Sequence, residues 1–250
     1  MRPLMNDLTQ SLQQATALVL GADPTLWGVV TLSLQVSGSA CLLGATVGLL
    51  LGAALAVTDF PGHSWLVGLL NTLLALPSVV VGLLVYLLLS RAGPLGSLGI
   101  LFTPAAMVVA QSILVVPLVA ALARRLVLSA MAEGGEQLQS LGAGRAASAA
   151  LLLLHERFAV LTVLLTAFGR AIAEVGAVMI VGGNIDGVTR VMTTSIALET
   201  SKGDLPLALA LGLVLLGVVA LLNLGISLLQ WLGNGRQHGP GGPQPGAALG

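Results

Sequence analysis

Five continuous apolar runs constrain this chain more than any other feature: Val29–Val57, Trp65–Ser90, Ala105–Leu128, Phe158–Val181 and Leu205–Trp231. Each exceeds the roughly 20 residues a helix needs to cross the hydrocarbon core of a bilayer. The runs are unbroken, not alternating, which argues against a membrane β-barrel and for helices that satisfy their backbone groups internally. Composition agrees: 56% of residues are hydrophobic and only 8% charged, whereas a soluble domain carries about a quarter charged residues. The chain therefore reads as an all-α integral membrane protein with about five transmembrane helices embedded in the lipid bilayer. Trp27, Trp65 and Trp231 fall at run ends, where interfacial anchoring places aromatic residues.

Within the runs, Gly44, Gly48 and Gly52 form a small-xxx-small series that would let another helix approach the first span closely. Enrichment of glycine common to membrane helices explains them less specifically. Pro77 and Pro117 lie well inside the second and third spans and predict kinks there. The single Cys41 has no partner for an intramolecular disulfide and reads as a small packing residue.

The flanking segments differ in character. Residues 1–28 do not read as a signal peptide, because the first dozen are mostly polar and hold one Arg. Leu8, Leu12, Ala15 and Val19 recur at helical spacing, which predicts an amphipathic helix on the extracytoplasmic membrane surface. Residues 29–232 form the transmembrane domain, and residues 233–250, rich in Gly and Pro, read as a disordered cytoplasmic tail. Odd span number puts the termini on opposite sides. Arg124, Arg125, Arg145, Arg157 and Arg236 share one side, against Arg2, Arg91, Arg190 and Lys202 on the other. The excess favours the 129–157 connection facing the cytoplasm.

Several chemistries are missing. No G-x-x-x-x-G-K-[ST] loop, no H-E-x-x-H and no G-x-S-x-G occurs. His63, His155 and His238 all lie outside the spans, so no buried base is available to a serine nucleophile. A formal net charge of +0 and the lack of a basic tract argue against nucleic acid as a partner. Transport, conduction or scaffolding remains, and an enzyme is not expected.

The 129–157 connection is the specific part. Its stretch EQLQSLGAGRAASAALLLLHE, residues 136–156, resembles the signature loop of ABC importer permeases, E-A-A, three residues, Gly, nine residues, I-x-L-P. Glu136 and Gly142 take the Glu and Gly positions, and Leu152 and Leu154 those of Ile and Leu. Gln137 and Leu138 replace the two Ala, and His155 replaces Pro. Physically, Glu136–Leu141 predicts a short helix ended by Gly142, which tolerates a left-handed backbone. An ordinary helix–loop–helix connection is the plainer reading.

The resemblance narrows further at FGRAIAEVGAVMIVGGNIDGVTRVMTTSIALETSKGDL, residues 168–205, and at residues 71–111. Both are similar to permeases of the tungstate, molybdate and sulfate group, the tungstate members most. The resemblance implies a type I ABC importer permease fold and a homodimer in the bacterial cytoplasmic (inner) membrane. It further implies the loop inside, the N-terminus outside and the tail inside. Two copies of a separate ABC ATPase would use the ATP, and an extracytoplasmic substrate-binding protein would deliver the ion. No metal or cofactor is expected on this chain.

Arg170 and Glu174 stand one helical turn apart within the fourth apolar run. A charge at the bilayer centre costs about 2.5–3.5 kcal/mol on insertion scales, so the pair should face the bundle interior or a water-filled path. It reads either as lining an anion path or as a structural ion pair that fixes helix packing. Asn184, Thr189, Arg190, Thr193 and Thr194 follow in the outer loop and offer neutral donors and one cation near the outer mouth. An ordinary polar loop is the alternative. A stand-alone secondary transporter would need inverted repeats or an ion-coupling site, and neither is visible. A scaffold would leave the paired charges and the loop pattern unexplained.

Overall fold

The computed structural model describes residues 2–21 and 23–237, with side chains from 11 to 232 apart from residue 22. The described chain is helical throughout its regular parts, in the order α1 (Arg2–Leu20), α2 (Pro24–Val57), α3 (His63–Leu74), α4 (Ser78–Leu89), α5 (Pro104–Ser140), α6 (Arg145–His155), α7 (Arg157–Ile172), α8 (Gly176–Gly182), α9 (Met192–Lys202) and α10 (Leu205–Gln237). Three helices are long and apolar enough to cross a membrane alone, α2, α5 and α10, and the count reaches five when each bent helix pair is one span.

Asp23 starts α2 by accepting the Leu26 N–H at 2.9 Å, with Pro24 preset for the first turn. The helix packs along α5 through its glycines. A Cβ added to Gly44 would lie 2.5 Å from Val115 Cγ1, one on Gly48 2.7 Å from Val119 Cβ, and one on Gly52 2.4 Å from the Ala120 carbonyl. Only hydrogen fits between these two backbones. Cys41, Val115, Val119, Val163 and Ala167 close the core beneath this seam, joining α2, α5 and α7. A second core joins α4 (Val81, Val85), α5 (Met107, Ala110) and α8 (Ala177, Val178).

The second apolar run bends at Pro77, as expected, but the bend is a full break in the helix. It breaks after Leu74 into α3 and α4, which meet at 100°, with Pro77 capping the start of α4. Pro77 lacks an N–H and disfavours helix in the residue before it, so the chain turns there. Pro117 behaves differently, because α5 runs through it without interruption. The fourth run is also broken, between α7 and α8, at Ala173–Val175.

Ala15 of α1 is fully buried in a core shared with Ile172, Met192, Ala210 and Leu211, so this helix docks on α10. Of its expected stripe, Leu8 lies outside the described side chains, and Leu12 is 38% exposed. The helix α10 continues to Gln237, five residues into the segment read as tail, and residues 238–250 lie outside the described residues.

Candidate translocation site

The Arg170–Glu174 pair forms, with Arg170 Nη1 2.8 Å from Glu174 Oε2. Its setting corrects the sequence reading. Arg170 is in the last turn of α7, but Glu174 lies in the break, outside both helices, so the two do not share a helical face. The Glu174 side chain is 3% exposed and that of Arg170 49%. Glu174 uses its other oxygen, Oε1, to accept the Ala177 N–H at 3.1 Å, capping the first turn of α8. The Ser78 hydroxyl, at the start of α4, faces the same carboxylate.

Two breaks therefore meet at one acidic side chain. The helices α4 and α8 approach so closely that a Cβ on Gly82 would sit 2.8 Å from Ala177 Cα, and one on Gly176 2.7 Å from Val79 Cγ2. Glycine is required at both positions for that contact.

A broken helix within a span leaves backbone carbonyls without their usual partners, and in an apolar medium neighbours must supply new ones. Ala171 O, which a continuous helix would pair four residues on, accepts instead the Glu174 N–H at 3.1 Å and the Gln111 side-chain N–H at 3.0 Å. Glu174 O accepts the Thr193 hydroxyl at 2.8 Å. Gln111 comes from α5 and Thr193 from α9. Sequence reading missed Gln111, although a lone amide inside the apolar third run is itself a signal.

The other expected hydroxyls are committed to backbone in the protomer. Thr189 donates to Gly182 O at 2.6 Å and accepts the Ile185 N–H at 2.9 Å, closing the loop after α8. Thr194 donates to Val191 O at 3.1 Å and accepts the Val191 N–H at 3.2 Å, so it caps α9. Ser33 of α2 adds a cap that sequence reading missed, accepting the Met192 N–H at 2.7 Å. Arg190 pairs with Asp186 at 2.9 Å while its Nε is buried without a partner, as is Asn184 Oδ1. Asn184 also takes a left-handed φ of 51°. Arg170, Glu174 and Thr193 thus form one cluster, and Asn184, Thr189, Arg190 and Thr194 brace the loop beside it.

The residues expected to couple to an ATPase lie earlier in the chain, and here too the helix differs from expectation. Glu136, Gln137 and Leu138 are not a separate short helix; they are the final turns of α5. Gly142, at φ 88°, ends that helix, with Gly142 N–H on Gln139 O and Ala143 N–H on Leu138 O, both at 3.0 Å. This pair of bonds is the Schellman arrangement. Leu152 is buried against α5, whereas Leu154 is 72% and Leu141 84% exposed. A groove of about 670 Å³ lies between the end of α5 and α6, lined by Glu133, Gln137, Leu138, Leu152 and His155. With His155 in place of Pro, α6 runs to that residue, and the 78° turn into α7 falls at Glu156. Arg145, at the head of α6, reaches Asp59 after α2 at 3.1 Å.

No family model matches the chain. The tungstate uptake system permease protein of Peptoclostridium acidaminophilum is 41% identical over 226 residues, covering 90% of this chain and 99% of the relative. A probable anion ABC transporter permease protein of Haloferax volcanii is 41% identical over 79% of this chain and 88% of its own length. The tungstate uptake system permease protein of Campylobacter jejuni is 35% identical over 89% of this chain and 93% of its own length. The chain belongs to the oxyanion-uptake group of ABC importer permeases. Such permeases are multi-pass membrane subunits, and the three to five candidate spans among the described residues agree with that.

Proposed function

We propose that this chain, as a homodimer, forms the gated path of an ATP-driven importer for a tetrahedral oxyanion, tungstate in particular. The observation that carries this reading is the half-exposed guanidinium of Arg170 beside the buried carboxylate of Glu174. An exposed cation within a span needs water or a second protomer against it. Two such guanidiniums across a dimer axis would offer a passing dianion donors without a deep electrostatic trap, because each is already half neutralised. Relatives named for tungstate at 41% and 35% identity support the choice of ion. The exposed Leu141 and Leu154 beside the α5–α6 groove support a docked ATPase, two copies per dimer, which would carry out all ATP use. In this reading the groove faces the cytoplasm, the N-terminus and an external binding protein are outside, and no cofactor binds this chain.

The test uses cells carrying the whole uptake system. Tungstate uptake is expected to depend on ATP and to exceed that of molybdate and sulfate at equal concentration. Preference for molybdate or sulfate would correct the ion alone. Purification without any ATPase, together with uptake that ignores ATP depletion, would overturn the reading.

A further inference from the structure

Two carbonyls at the α7–α8 break are held by side chains from different helices. Ala171 O, on the α7 side, is bound by Gln111 of α5, and Glu174 O, on the α8 side, by Thr193 of α9. The first of these helices also carries the coupling turns, because Glu136–Ser140 close the same uninterrupted helix that holds Gln111. From Gln111 to Glu136 is roughly 38 Å of helix rise. Gln111 is 3% exposed, donates one hydrogen bond, and leaves its Oε1 buried without a partner. A buried amide with its oxygen unpaired is costly to keep in an apolar run.

We infer that Gln111 is a positioning residue: through its bond to Ala171 O it carries displacement of α5 to the break that holds Arg170 and Glu174. When the cytoplasmic end of α5 moves, the end of α7 moves with it, while Thr193 keeps the start of α8 on α9. The break then opens or closes between two anchored ends, and the Arg170–Glu174 pair shifts with it. This inference rests on the permease reading and adds the route by which that site is driven.

The experiment reconstitutes the complete complex, with its ATPase and binding protein, in liposomes, and measures tungstate uptake and ATP hydrolysis in the same sample. Gln111→Leu removes the amide at similar size, and Gln111→Asn shortens it beyond reach of Ala171 O. Each is expected to lower uptake per ATP by roughly threefold to thirtyfold while hydrolysis continues. Gln111→Asn is the deciding variant where Gln111→Leu does not assemble, because it keeps the polarity. Thr193→Val should lower uptake per ATP in the same direction, with Thr193→Ser restoring it. Unchanged uptake per ATP in Gln111→Asn, or uptake and hydrolysis falling in proportion, overturns the inference. Arg170→Ala in parallel separates the two readings. Normal transport by Arg170→Ala with uncoupling by Gln111→Asn removes the charged path but keeps the lever; the opposite pattern removes the lever alone.

Discussion

At the scale of single residues, the chemistry concentrates on Glu174. Its carboxylate neutralises Arg170 with one oxygen and caps α8 with the other, so charge and shape can be tested apart. Glu174→Gln keeps an oxygen for the Ala177 N–H but frees Arg170 to hold an anion. Tungstate uptake kinetics should then show a lower KM together with a lower maximal rate, the signature of tighter binding in the ground state. A parallel loss of rate with KM unchanged would argue for a purely structural pair. Arg170→Ala removes a charge-assisted contact worth about 1.5–3 kcal/mol, roughly tenfold to a hundredfold in uptake, with the complex still assembled on a size-exclusion column. Normal uptake, or failure to assemble, would sink the pathway role. The two charges were legible in the sequence from their isolation among apolar neighbours. Their separation onto a helix end and a break was not, because i, i+4 spacing fits a continuous helix equally well.

At the scale of elements, the glycines of α2 decide how near α5 can come. Gly48→Ala would place a methyl 2.7 Å from Val119 Cβ and 3.0 Å from the Val116 carbonyl. The backbones must then part, at a cost of about 1–3 kcal/mol. Gly38→Ala, on the same helix with nothing within 4 Å of the added carbon, should be neutral or slightly stabilising. Thermal melts of the detergent-purified protein distinguish the two; equal midpoints would mean the seam is looser than described. The expectation of a small-residue face needed only the four-residue spacing. Which helix it meets depends on chain folding, and nothing in the glycines themselves names α5. Proline shows the same division. Pro77 and Pro117 look alike in sequence, yet one caps a new helix and the other rides inside a continuous one.

At the scale of the molecule, one continuous helix, α5, joins the Glu136–Ser140 turns to Gln111 beside the α7–α8 break. The sequence suggested a separate knob at Glu136–Leu141; the structure makes it the tip of α5, stopped by Gly142 and flanked by Leu141 and Leu154 in the open. In the proposed assembly these two leucines would meet the ATPase. Leu154→Asp should leave the permease folded and monodisperse but strip the ATPase during affinity purification. Retention of the ATPase at wild-type stoichiometry would show that contact lies elsewhere.

By itself, the sequence determined the medium, the approximate spans, the family-like loop spacing and the two charges that do not belong in lipid. These follow from local properties: hydropathy, spacing and the cost of burying an ion. Only the tertiary structure decided that the second and fourth apolar runs are broken, that their breaks meet at Glu174, and that Gln111 and Thr193 bind carbonyls at the second break. A backbone carbonyl accepts a bond from any donor that reaches it. Which donor does so depends on the folded path of the chain, not on the residues beside the carbonyl.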